Sequence, residues 1–322
     1  MTNPASRTAT ILALTTIYLV WGSTYLAIRV AVETMPPFAM ASVRFLIAGA
    51  ALLLFLPLRG AAKPTASQWR DNAIIGTLLL LGGNGLVVWA EQFIPSGIAA
   101  LIIGVGPLFI VLTEWAWPGG QKPSLVTFGA LLLGLSGVVW LAAPWTDSSA
   151  GGFHKVGVLV ILCSCVCWAI GSIYSRHAKN SPDPFVAAAQ QMICGGTALG
   201  ITALLAGDFS RVDLAAISTQ SWLGFVYLIV MGSLVGFSTF VWLIKNVPPA
   251  LAATFAYVNP IVAVFLGWLI LDETLNTRTL VSSVIIIAAV VIITAERNRH
   301  RLTVSPRQTV GLAETRNMET KS

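Results

Sequence analysis

Single polar side chains that could recognise a solute are set into long apolar runs. Asn84, Ser238 and Asn259 bring amide and hydroxyl groups, and Arg44 brings a fixed positive charge. Trp21, Tyr25, Trp89, Trp242 and Tyr257 add aromatic surfaces with polar tips. Such a set can hold a small molecule by stacking and a few directed hydrogen bonds. Nothing beside it offers bond-breaking chemistry. His154, His177 and His300 are scattered, and there is no GxxxxGK[ST] loop to cradle phosphates, no HExxH pair and no GxSxG turn. Cys163, Cys165 and Cys167 alternate, which suits neither a CxxC redox pair nor zinc, so the cysteines read as small packing residues. No metal or cofactor is implied, and the chain reads as a non-enzyme.

The stretch 247–273 organises these groups. It is apolar enough to cross a bilayer, yet Asn259-Pro260 lies near its middle. Proline removes a backbone donor and crowds the carbonyl one turn earlier, leaving polar backbone that hydrocarbon cannot satisfy. The stretch 94–121 has the same layout: Pro95 and Pro248, like Pro107 and Pro260, are 153 residues apart. Interrupted helices at matching places in two halves point to a central binding site in a transporter. Pro107 and Pro260 therefore join the candidate site residues.

Composition sets the surroundings. A mean hydropathy of +0.81, with 56% hydrophobic and 10% charged residues, excludes an ordinary water-soluble globule. Ten apolar runs, from 11–28 to 280–295, approach the roughly 20 residues a bilayer requires. The expected fold is an all-α integral membrane bundle of ten transmembrane helices. Residues 1–10 form a short N-terminal tail, 11–145 a first repeat of five helices, 146–155 a linker and 156–296 a second repeat. The basic segment 297–322 reads as a disordered tail. Five is odd, so the repeats must be inserted in opposite orientations.

The net charge of +6 is not a nucleic-acid signal. Arg59, Lys63, Arg70, Lys122, Arg176, Lys179 and the basic tail fall on one side, which the positive-inside rule makes cytoplasmic together with both chain ends. The first run reads as an uncleaved helix because nine more follow it.

Several residues carry two readings. Arg44 either attracts an anion or is a structural charge, snorkelling or paired with Glu33 or Glu91; Gln191 holds the matching place in the second half. Trp21 and Tyr25 sit in a WGSTY run that either packs helices or lines a cavity, and Asn84 has the same two options. Gly82 and Gly83 read as packing, Glu91 as a solvated rim carboxylate, and Glu114 as reaching an interface. Gly196/Gly200 and Gly232/Gly236 are small-xxx-small pairs, serving contacts within one chain or a homodimer.

The WGSTY run, Arg44-Phe45, the segment 90–109 (AEQFIPSGIAALIIGVGPLF) and the Pro260…Asp272-Glu273 block resemble the EamA-type drug/metabolite transporters. Asn84-Gly85, Ala90-Glu91 and Tyr257-Val258-Asn259-Pro260 are most similar to the YedA-type exporters of that superfamily. The likeness covers roughly residues 11–296. It implies two inverted repeats in the bacterial inner membrane around a cavity lined mainly by helices three, four, eight and nine. It also implies export of small metabolites, amino acids or toxic amphipathic compounds. One departure is Gln121, where the family often has an acid; the second repeat keeps Glu273.

Overall fold

The computed structural model describes residues 6–55, 64–120, 122–142, 153–179, 181, 183–247, 251, 254–273 and 275–296, without the side chains of residues 142, 153, 154, 245 and 257. The expectations for residues 1–5 and 297–322, for most of the linker, and for Arg59, Lys63, Gln121 and Pro248 lie outside these residues, whereas residues 7–10, expected in the N-terminal tail, form the first turn of a helix that starts at Arg7. The elements in order are α1 (Arg7–Ala31), α2 (Pro37–Phe55), α3 (Ala66–Ala90), α4 (Ser96–Ala116) and α5 (Leu125–Ala142). They continue as α6 (Phe153–His177), α7 (Pro184–Leu205), α8 (219–246), α9 (Phe255–Leu271) and α10 (Thr277–Glu296). Among the described residues eight helices are long and apolar enough to cross a membrane, and Leu125–Leu141 and Val258–Leu271 are shorter apolar helices.

Local sequence sets the helix starts. Ser6 accepts from Ala9 N–H before α1, Thr65 and Gln68 form a reciprocal capping box before α3, and Ser218 accepts from Ser221 N–H before α8. Asp183 with Pro184 at the first helical position opens α7. At α2 the cap comes from afar: the buried Asp208 carboxylate accepts from Phe38 N–H (2.8 Å) and Ala39 N–H (3.3 Å).

Three helices depart from simple α geometry. α4 breaks at Gly104–Val105 and resumes at Gly106, with Pro107 in the new first turn, where its missing N–H costs nothing. α3 and α8 each widen into a π-helix, over Thr77–Gly85 and Leu228–Phe237. Such segments often mark functional sites. The break expected at Asn259-Pro260 is not there. α9 begins at Phe255 and runs through Pro260, close enough to its start that only the carbonyl of Ala256 loses its partner.

Packing relates the halves. α2 on α7 is the most extensive helix contact, while α1 packs on α9 and α6 packs on α4. Ser42 donates to the Gly196 carbonyl (2.8 Å) in the first interface. Gln191, at the place matching Arg44, donates to Asn72 across the α3–α7 interface (2.8 Å), and Asn72 donates to Gln190. A buried amide needs such a partner, and α3 supplies one closer than the interior. Large apolar side chains such as Leu19, Ile47, Leu132, Leu204 and Ile261 face outward, as in a chain solvated by lipid.

Two ends of the bundle can be told apart: a near end, where α1 begins and α10 finishes, and a far end, where α1 finishes and α4 begins. Asp208 ties the second half to α2 at the far end. Replacing it with Ala should cost about 1–2 kcal/mol, the value of a lost N-cap. Thermal unfolding in detergent should show a lowered midpoint for Asp208→Ala and a smaller loss for Asp208→Asn.

Candidate functional site

A cavity of about 260 Å³ lies between the two halves. Its walls come from α1, α2, α3 and α4 on one side and α6, α8, α9 and α10 on the other. The lining runs from Ile28, Val87 and Ala100 to Arg176, Ile244 and Thr294 at the near end, where the Arg176 side chain is 39% exposed.

Aromatic rings dominate one wall. Trp21 stands edge-on to Trp168 (6.0 Å between centroids) and to Phe255 (5.3 Å), and lies 4.7 Å from Phe240. All four line the cavity. Polar atoms of the same cavity lack protein partners. Arg44 is 3% exposed; its Nε donates to Ser233 Oγ (2.8 Å), while Nη1 bonds to nothing. It makes no ion pair among the described residues, with Glu33 and Glu91 included. Gly232 leaves it room, since a Cβ there would lie 2.8 Å from Nη2. The Oδ1 atoms of Asn84 and Asn259 are likewise buried without a donor. Buried polar atoms are normally satisfied, so a cluster of orphans around one void fits a place for a solute or water.

Of the candidates read from the sequence, the cavity brings together Trp21, Tyr25, Arg44, Asn84, Pro107, Asn259 and Pro260. Ser238 and Trp242 line a different groove, with Ala9, Leu12 and Thr16 of α1 and Phe185. The reason is the π-helix that ends at Phe237. Its wider turns shift the register, so Phe237, Phe240 and Ile244 face inward instead. Trp89 packs against Phe93 (5.2 Å) among apolar residues toward the far end. The side chain of Tyr257 is outside the described set. The lining is also wider than helices three, four, eight and nine. α6 supplies Ser164, Cys165, Trp168, Ser172 and Ser175, on a helical face whose period was visible in the sequence.

The far end is closed. Asp272 takes a left-handed conformation (φ 53°) after α9, and Glu273 N–H bonds back to the Gly267 carbonyl (3.1 Å). That turn directs the Glu273 carboxylate onto the start of α4. It accepts from Ser96 N–H (2.7 Å), Ser96 Oγ (2.7 Å) and Gly97 N–H (3.0 Å). Gly267 makes the approach possible, because a Cβ there would meet Glu273 Oε2 at 2.5 Å. Beside this cap, Arg29 Nη1 donates to the carbonyls of Glu91 (2.6 Å) and Gln92 (3.0 Å). Glu91 itself is fully buried and not a solvated rim group. The near end carries a looser pair, Arg176 with Glu114 at 3.2 Å, both more than a third exposed. Such a surface pair contributes little.

Comparison with known proteins agrees with this arrangement. The family model described as "EamA-like transporter family" matches residues 8–143 and again 155–295. The inner membrane transporter YedA of Escherichia coli K12 is 39% identical over 284 residues, spanning 88% of this chain and 89% of YedA. The transporter YvbV of Bacillus subtilis 168 is 25% identical, over 90% of this chain and 92% of its own. A WAT1-related chloroplastic protein of Arabidopsis thaliana, At3g02690, is 24% identical over 86% of this chain and 67% of its own. One crystal structure, 21% identical, superposes with a TM-score of 0.64 over 91% of this chain and 99% of that one, a likeness of fold. Two family matches in tandem, a relative alike over most of both chains, and a cavity between the halves agree: the chain belongs to the EamA-like transporter family.

Proposed function

We propose that the protein is a secondary transporter of the inner membrane that exports small metabolites or amphipathic compounds by alternating access. In this reading ten helices cross the bilayer as two inverted repeats, 11–145 and 156–296, with both chain ends cytoplasmic. The near end is then the cytoplasmic mouth and the far end the closed periplasmic gate. The observation that carries the proposal is the cavity, walled by both halves, reaching one end and sealed at the other. Repeat-related packing, α1 on α9 and α4 on α6, supports it, because such pairs can exchange roles when the halves rock.

The lining describes the cargo. A void of about 260 Å³ lies near the lower end of ligand-site volumes, roughly 300–1,000 Å³, which favours a small solute. The Trp21, Trp168, Phe240 and Phe255 cluster would pack an apolar or planar body, with Asn84 and Asn259 accepting hydrogen bonds from it. Arg44 supports a second reading, an amino-acid exporter. An unpaired guanidinium within the membrane costs about 2.5–3.5 kcal/mol to bury, and a substrate carboxylate would relieve part of that.

Counterflow in proteoliposomes tests the function. Vesicles preloaded with pools of unlabelled amino acids or other metabolites should show saturable accumulation of label for one pool; flux that never saturates would instead indicate a channel. Asn259→Ala removes an orphan acceptor worth about 1–3 kcal/mol and should lower the transport efficiency roughly tenfold or more in correctly folded protein. Unchanged counterflow would place the site elsewhere. A second measurement addresses sidedness. A cysteine replacing Ser172, in a background without other cysteines, should react with a membrane-impermeant maleimide from the cytoplasmic side. A cysteine replacing Ile94 should stay protected from the cytoplasmic side.

A further inference from the structure

The most unusual group outside the cavity is Glu91. It follows the last turn of α3, its N–H bonded to the Val87 carbonyl (2.9 Å), and its residue surface is wholly inaccessible. Neither carboxyl oxygen has a hydrogen-bond partner. Arg29, a cation within electrostatic reach, directs Nη1 to the backbone carbonyls of Glu91 and Gln92 and forms no ion pair with the carboxyl.

The surrounding charges indicate where a proton would sit. Glu273 lies within electrostatic reach of Glu91, in the turn after α9. Its charge is met by three donors, from Ser96 and Gly97. A carboxyl shut away from water, without donors and near a second carboxylate, favours its protonated form, and of the two only Glu91 is so placed. α1 contributes Tyr25 and Arg29, and α6 contributes Cys165, which acts on Tyr25. Arg44 on α2 is engaged with Ser233. Burial first, and then the Glu273 charge, push the Glu91 carboxyl well above the usual carboxylate range, while Arg29 opposes them.

We propose that Glu91 is a proton-binding site coupled to the far-end gate: neutral while the gate is closed, and ionised when the gate opens to water. On opening, the proton passes from the Glu91 carboxyl oxygen to a water molecule, leaving a carboxylate beside Arg29. On closing, the carboxyl must recover a proton from that side. Tyr25 lines the cavity and lies within electrostatic reach of Glu91, which links substrate occupancy to protonation. In the transport reading the proton is a coupling ion, and only that role rests on the reading.

The sign of the pH effect follows. The closed gate raises the affinity of Glu91 for its proton, so closure is favoured at low pH and is lost as pH rises through the closed-state value. Each unit by which closure raises that value changes the closed-to-open ratio about tenfold.

Two measurements on the full chain in liposomes, needing no substrate, decide it. The first is infrared spectroscopy of the neutral carboxyl C=O stretch at pH 7. The wild type should show a band that Glu91→Gln removes, that Glu91→Asp shifts, and that Glu273→Gln weakens by loosening the closed gate. No such band in the wild type, or the same band in Glu91→Gln, overturns the proposal. The second is the rate at which a cysteine at Gln92 reacts with a maleimide probe, corrected for the thiolate fraction of a model thiol. The corrected rate should rise about tenfold or more from pH 5 to pH 9 in the wild type and stay flat in Glu91→Gln. Equal pH dependence in both also overturns it. A failure of counterflow would remove the transport reading and the coupling role, while these readouts would still show whether Glu91 holds a gate proton.

Discussion

The Glu273 carboxylate on the first turn of α4 is the contact on which the closed end depends. It joins the end of α9, in the second half, to the start of α4, in the first. The first N–H groups of a helix have no partner within it, and in a membrane little water is available to supply one. A carboxylate there meets both the orphan donors and the positive end of the helix dipole. Asp208 does the same for α2. The far end is thus closed by carboxylates that cap helices remote in sequence, whereas the near end has a half-exposed ion pair at the cavity mouth. A bundle fastened this way has one end to release and one end already accessible.

Between the ends, the cavity exists because the helices around it are irregular. The gap at Gly104–Val105, the π-helices in α3 and α8 and the first turns of α9 all contribute residues to its lining. The freed backbone groups border the cavity, where a solute or water can meet them, which is where irregular backbone is tolerated in a membrane. The aromatic cluster supplies apolar surface, and the two orphan amides with Arg44 supply polar groups within the same lining. An amphipathic solute is the natural complement.

Much of this architecture was legible in the sequence and part was not. Apolar length identified the helices, and the spacing of Pro95, Pro107, Pro248 and Pro260 identified two related halves. Pro107 marked the break in α4 correctly. Pro260 was misleading because a proline early in a helix interrupts little, and nothing in the residues showed that α9 starts at Phe255. The π-helices left no trace that a regular period would reveal, so Ser238 and Trp242 were assigned to the wrong face. Glu91 was read as exposed from its place near a helix end; its burial follows from α2 and α6 packing against the last turn of α3, which is long-range information. The serines of α6, by contrast, were visible at helical spacing and were passed over.

The central claim is that the far end opens and closes while the cavity stays between the halves. Distances between spin labels at Gln92, after α3, and Leu275, after α9, measured by pulsed electron paramagnetic resonance in liposomes, test it most directly. The account predicts a main short-distance population in the wild type and a second, longer one that grows when Glu273 is replaced by Gln. A single distance, unchanged by Glu273→Gln, would contradict it and leave the cap as a static feature of the fold.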